Sequence, residues 1–167
     1  MKGKNSVLYL TQASLIAALY VVITWCIETL THLTSGVVQF RLSEALTILP
    51  VFTPAAIPGL FVGCLLSNTL MGLSVWDIVF GSLATLIGAF GTYLLRKTKF
   101  VYTLPPVVAN MVIVPLVLKL AYGVEDAFWF LVLTVGIGEV VCVCICGYLL
   151  RQTLEKSKRA IFRDDMD

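Results

Sequence analysis

Apolar residues run along this chain in long stretches, broken by short polar segments, prolines and basic clusters. The stretches read as helices at about 7–30, 42–52, 55–71, 75–95, 101–121 and 127–150. Most have the length of a bilayer crossing, which takes about 20 mostly apolar residues. The 42–52 stretch stops at Pro50 and Pro54 and, at about 1.5 Å of rise per residue, is too short to cross alone. The polar loop before it, Thr31 to Gly36, is therefore expected to dip into the fold. The expected fold class is all-α: a polytopic membrane bundle of six transmembrane helices, forming one domain over 1–167. Residues 151–167 form a tail that is first basic and then acidic. Lys2 and Lys4 followed by apolar residues resemble a signal peptide, but the run continues to about Leu30 without a small-x-small cleavage site, so a retained helix is expected.

Composition agrees with the pattern. Of 167 residues, 59% are hydrophobic and 13% charged, and the mean hydropathy is +0.94. A soluble domain carries roughly 25% charged residues, so water is excluded as the solvent for most of the chain. Charge placement then sets the orientation. With six crossings and an inner amino terminus, one side carries Lys2, Lys4, Arg96, Lys97, Lys99, Arg151, Lys156, Lys158, Arg159 and Arg163, against Arg41 and Lys119 elsewhere. An excess of Lys and Arg marks the cytoplasmic side, so both termini are expected inside.

Ionisable groups within spans are expensive and are read as functional by default. They are Glu28, Arg41, Glu44, Asp77 and Glu139, joined by Asn68 and Asn110. On the expected topology, Glu28, Arg41, Glu44, Asn68 and Asp77 fall toward the outer face, with Asn110 and Glu139 near mid-depth. That distribution suits a pocket loaded from outside. Arg41 and Glu44, three residues apart, share a helix face and either pair or leave the carboxylate to a ligand. A free carboxylate accepts two parallel hydrogen bonds from a guanine-type edge, and Glu139, with no basic neighbour in sequence, is the better candidate. Gly136 and Gly138 before it would let backbone or ligand approach. Trp25, Phe40, Trp76 and Trp129 lie near the outer helix ends, either to stack on a planar ring or to form an interfacial aromatic belt. His32 reads as a loop residue.

Small residues recur one helical turn apart: Ala13 and Ala17, Ser14 and Ala18, Gly59 and Gly63, Ala84 and Gly88. Membrane helices associate through such positions, and the stripe on the first helix serves either internal packing or a second membrane protein. Cys26, Cys64, Cys142, Cys144 and Cys146 read as small packing residues, since alternate positions on a helix point apart and do not converge on a metal. No nucleotide-binding glycine loop, Ser/His/Asp set, HExxH or CxxC pair is present. No enzyme activity, cofactor, metal or nucleic-acid partner is expected. Paired half-sequences of an inverted-repeat carrier are also missing, so uphill transport would need energy from a partner or a coupled ion.

The run Val38-Gln39-Phe40-Arg41-Leu42-Ser43-Glu44-Ala45-Leu46-Thr47-Ile48-Leu49-Pro50, with Gly59-Leu60-Phe61-Val62-Gly63-Cys64-Leu65-Leu66-Ser67-Asn68, resembles the QueT family. Those are substrate-binding S components of energy-coupling-factor importers, assigned to queuosine precursors. The resemblance implies solute capture on the outer side and toppling against a T component driven by two cytoplasmic ATPases. It implies that Ala13, Ser14, Ala17 and Ala18 face the T component. It also implies a 7-deazaguanine solute: queuine or the 7-cyano or 7-aminomethyl base. Two alternatives stand beside it, a proton-coupled carrier using Glu44 or Glu139, or an S component for another small vitamin. A membrane scaffold whose polar groups only lock helices together is a third.

Overall fold

A computed structural model describes residues 2–31, 41–121, 123 and 128–161. All regular structure among them is helical. The first helix, Lys2–Thr31, is 30 residues long, or about 45 Å at the α-helical rise. The second segment, Leu42–Val51, is wound as a 3₁₀ helix. The third, Ala56–Leu70, is a regular α-helix. The fourth begins with a π turn, Asp77–Gly81, and continues as Ser82–Leu94. A 3₁₀ turn, Val101–Thr103, leads into the fifth helix, Leu104–Ala121. The sixth runs through Phe128–Glu139, a π stretch at Val140–Cys146 and Gly147–Ile161.

Among the described residues, four stretches are long and apolar enough to cross a membrane: Ser6–Leu30, Asp77–Leu94, Val101–Leu120 and Phe128–Lys156. Leu42–Val51 and Ala56–Leu70 are shorter apolar helices. Two features depart from the sequence reading. The second segment is 3₁₀ rather than α, and the tail expected from 151 is helical to Ile161. The extension holds because Leu150 and Leu154 pack on the core cluster and Arg151 faces Glu155 one turn away at 3.9 Å. The loop expected to dip into the fold lies outside the described residues.

Polarity is inverted relative to a soluble domain. Ser43, Glu44, Thr47, Thr53, Asn68, Asp77, Ser82, Thr85, Asn110 and Glu139 are buried, while Leu, Val, Ile, Phe and Trp side chains cover the outside. Buried polar groups need partners, whereas an apolar exterior is stable only in lipid. The chain is therefore a membrane-embedded, multi-pass protein.

Close contacts fix the helix directions. A methyl group added to Gly59 would stand 2.7 Å from the Ala13 carbonyl oxygen, and one on Gly63 2.8 Å from Tyr20 Cβ. Contacts at 13/59 and 20/63 make the first and third helices parallel. Gly88 meets Pro106, at 2.6 Å for the same hypothetical methyl, and Gly91 meets Pro105, so the fourth and fifth helices are antiparallel. The third and fourth are antiparallel too, joined by a turn through Gly72 at φ +66°. There Leu73 N–H donates to the Asn68 carbonyl and Gly72 N–H to that of Thr69, each at 3.1 Å. That pair of bonds closes a Schellman cap, in which glycine takes the left-handed position.

The stripe on the first helix divides between two roles. Ala13 and Ala17 are buried against the third-helix glycines, so their small size serves internal packing, one of the two roles open to the stripe. Ser14 and Ala18 are exposed. The apolar core lies beside this contact, built from Ile16, Tyr20, Leu46, Leu49, Leu60 and Cys64, among others. Leu46 and Leu49 enter it from the 3₁₀ segment, whose residues Ser43 to Pro50 are all buried. That segment is the central post of the bundle.

Candidate functional site

A 3₁₀ helix repeats every three residues, so side chains at i and i+3 eclipse. Arg41, at its amino-terminal cap, Glu44 and Thr47 therefore stand in one file. Glu44 N–H donates to the Arg41 carbonyl at 2.8 Å, and Thr47 Oγ1 donates to the Glu44 carbonyl at 2.6 Å. The next residue back from Glu44 is tied as well: Thr24 Oγ1 and Ser43 Oγ lie 2.8 Å apart. The backbone under Glu44 is thus held from two sides.

The Glu44 carboxylate is 1% exposed. Its Oε1 accepts from Tyr20 Oη at 2.5 Å and from Thr85 Oγ1 at 3.1 Å. Its Oε2 is buried with no hydrogen-bond partner among the described residues. Thr85 Oγ1 also lies 3.4 Å from Cys64 Sγ, which Asn68 Nδ2 approaches at 3.7 Å. Asn68 Nδ2 donates more firmly to the Asp77 carbonyl, at 3.1 Å, and so fastens the start of the fourth helix to the end of the third. Gly81 leaves room beside these groups: a methyl there would come within 3.1 Å of Asn68 Nδ2 and 3.8 Å of Arg41 Nη1.

Glu139 joins from the sixth helix, and the π stretch that follows it packs on the 3₁₀ segment. Glu44, Glu139 and Arg41 are within electrostatic reach of one another, and Arg41 also faces Asp77. The Asn110 amide from the fifth helix approaches both Glu44 and Glu139, yet its Nδ2 completes no hydrogen bond. Glu139 Oε2 is likewise buried without a partner. Six elements thus meet in one buried polar cluster in which, among the described residues, two acceptor oxygens and one donor nitrogen are unused. An unmade hydrogen bond on a buried group costs about 1–3 kcal/mol, so this arrangement is stable in company with something that supplies the missing partners.

Of the residues singled out in sequence, the structure brings together Arg41, Glu44, Asn68, Asp77, Asn110 and Glu139. It does not bring in Trp25 and Trp76. They are 58% and 57% exposed on the outer surface, and Trp76 stacks on Phe80 at 5.7 Å rather than on the cluster. Among the described residues they stand apart from the polar cluster. Phe40 and His32 lie outside the described residues. Gly136 makes room for protein, since the Met111 thioether fills the space a methyl would take. Sequence reasoning missed Tyr20, Thr85 and Cys64. The signal for Tyr20 was available: it continues the buried face Ala13, Ile16, Ala17, Tyr20, Thr24 of the first helix.

Among known families, the model described as QueT transporter matches residues 10–156. The chain belongs to the QueT transporter family. A relative in Lactococcus lactis subsp. cremoris (strain MG1363), named queuosine precursor transporter QueT, is 36% identical over 74 residues. That alignment spans 44% of this chain and 43% of the relative, under half of either. No solved structure matches. QueT membership agrees with the fold described above, a polytopic helical bundle with its polar side chains turned inward.

Proposed function

We propose that the chain is the substrate-capturing S component of an energy-coupling-factor importer in the plasma membrane. Its solute is a 7-deazaguanine precursor of queuosine, bound from the outer side. A T component and two cytoplasmic ATPases then drive its delivery to the cytoplasm. The observation that carries this reading is the unused set of Glu44 Oε2, Glu139 Oε2 and Asn110 Nδ2. A guanine-like base offers N1–H and 2-amino donors beside an O6 acceptor, which is the complement of a carboxylate beside an amide. The name of the Lactococcus relative supports the same solute class. The inner position of both termini follows from the basic clusters around 96–99 and 151–163. The exposed Ser14 and Ala18 offer a smooth face for the T component.

Purified protein tests the proposal. Native mass spectrometry should show a deazaguanine carried through purification, and added queuine should raise the melting temperature. Glu139→Gln should weaken binding by about tenfold to a hundredfold, the worth of a hydrogen bond to a charged group. An affinity within about twofold of the parent would remove Glu139 from the site. Uptake by the chain alone, abolished by a protonophore, would replace the ATP-driven reading with a proton-coupled carrier.

A further inference from the structure

We infer that the seam between the fourth and fifth helices binds one anionic phospholipid, with an acyl chain lying in the seam and the phosphate held by Lys97 and Lys99. The two helices touch where Gly88 meets Pro106 and Gly91 meets Pro105. That register sets Ile87 opposite Ala109 and Leu83 opposite Ile113. Beside the contact runs an apolar groove in two stretches that share Ile87. One, of about 640 Å³, lies between Phe90 and Val108 over Gly91 and Ala109. The other, of about 420 Å³, lies between Trp76 and Leu120. From Trp76 to Gly91 the fourth helix rises about 20 Å at the helical spacing, more than the half-thickness of a hydrocarbon core of about 30 Å. A slot of that length, lined by apolar side chains, fits a linear hydrocarbon chain better than a compact solute. None of the residues of the buried polar cluster lines it.

The groove by itself would accept any acyl chain, and the loop at its end makes the choice. Residues 95–100 join the two helical walls, with Gly91 just before and Pro105 just after, so the loop closes that end of the groove. It carries Arg96, Lys97 and Lys99, and the sequence from Ile78 to Val124 contains no Asp or Glu. The hairpin therefore has basic groups and no acidic one of its own to balance them. Arg96 is occupied: its guanidinium lies over the Tyr93 ring at 3.9 Å and its Nη1 donates to the Tyr93 carbonyl at 3.4 Å. Lys97 and Lys99 are exposed, and the ion pair between Arg151 and Glu155 does not involve them.

The loop holds the two lysines at a set depth. Thr98 N–H donates to the Leu95 carbonyl at 2.9 Å, and Phe100 stacks on Tyr148 of the sixth helix at 5.3 Å. Basic pockets between membrane helices recognise anionic headgroups. A zwitterionic headgroup brings its own cation and gains little from the lysines, whereas an anionic one supplies the charge they lack. With its phosphate at the loop, the lipid drops a chain along Phe90 and Ile87 into the groove.

Native mass spectrometry of the full chain, taken up from vesicles of equal phosphatidylglycerol and phosphatidylcholine, tests the site. One phosphatidylglycerol should stay bound per protein, preferred over phosphatidylcholine by at least about fivefold, the worth of one lysine near a membrane surface. In the double variant Lys97→Gln, Lys99→Gln the preference should fall to within about twofold. Ile87→Trp enlarges an exposed side chain shared by both stretches of the groove and should release the lipid. Equal retention of the two lipids by the unaltered protein would overturn the headgroup site. A preference that survives the loss of both lysines would assign it to the other basic residues, and the site as drawn would fall. Lipid retained by Ile87→Trp would remove the groove from it, and a lipid-free dimer mass would give the groove to a second copy of the chain. Should Ile87→Trp fail to fold, Val108→Trp, also at an exposed lining position, puts the same question to the groove.

Discussion

The two oxygens of Glu44 are in different circumstances, and the difference was not readable from sequence. Oε1 is held by Tyr20 and Thr85, while Oε2 has no partner. Tyr20→Phe keeps the ring in the core but removes one of these donors. It should destabilise the protein by about 1.5–3 kcal/mol, the range for a hydrogen bond to a charged group. Denaturant unfolding in detergent measures this, and a loss below about 0.5 kcal/mol, the scale of a surface change, would mean that Thr85 suffices. The charged residues of the cluster were legible because ionisable side chains in apolar spans are rare and expensive. Tyr20, Thr85 and Cys64 were not, because hydroxyls and thiols are ordinary in membrane helices and only their neighbours mark them out. Trp25 and Trp76 stayed ambiguous for a related reason: a tryptophan near a helix end looks the same in sequence whether it faces a ligand or lipid.

Helices and their approximate limits followed from the length of the apolar runs, since the bilayer sets that length. Packing faces were only half visible. Ala13, Ser14, Ala17 and Ala18 form two adjacent stripes with the same small side chains, and only the position of Gly59 and Gly63 decides which is inside. The two stripes should respond differently to the same change. Gly59→Leu forces a side chain against the Ala13 carbonyl and should cost about 1–3 kcal/mol or more, as overpacking does. Ala18→Leu projects outward, so melting temperature and solute affinity should stay unchanged while uptake with the ATPase partners falls. Uptake unaffected by Ala18→Leu would move the partner surface elsewhere. The 3₁₀ winding of Leu42–Val51 had no sequence signal, because such helices rarely exceed three or four residues. Here burial on every side holds it, and the apolar run is the same for either winding.

At the scale of the whole molecule, the proposal depends on which end of the bundle faces out. Orientation was argued from charge alone, and the fold adds that Glu44, Asn68 and Asp77 gather toward one end through the directions of the third and fourth helices. A Lys99→Cys substitution in a Cys26→Ser background tests it. A membrane-impermeant thiol reagent should label the new cysteine only after cells are opened. Labelling in intact cells would put the 96–99 cluster outside and the polar cluster inside, turning capture from the medium into capture from the cytoplasm.

The central 3₁₀ post also gives the site a depth gauge. At about 2 Å per residue, every third side chain lies about 6 Å further into the bundle. Along the file the residues are Arg41, Glu44, Thr47 and Pro50: a cation, an anion, a hydroxyl and a ring with nothing to donate. The hydroxyl of Thr47 is already spent on the backbone beneath Glu44. Along this file the charged groups stand on the upper two steps, Arg41 and Glu44. On the S-component reading proposed above, a solute on this file stops at the Glu44 step.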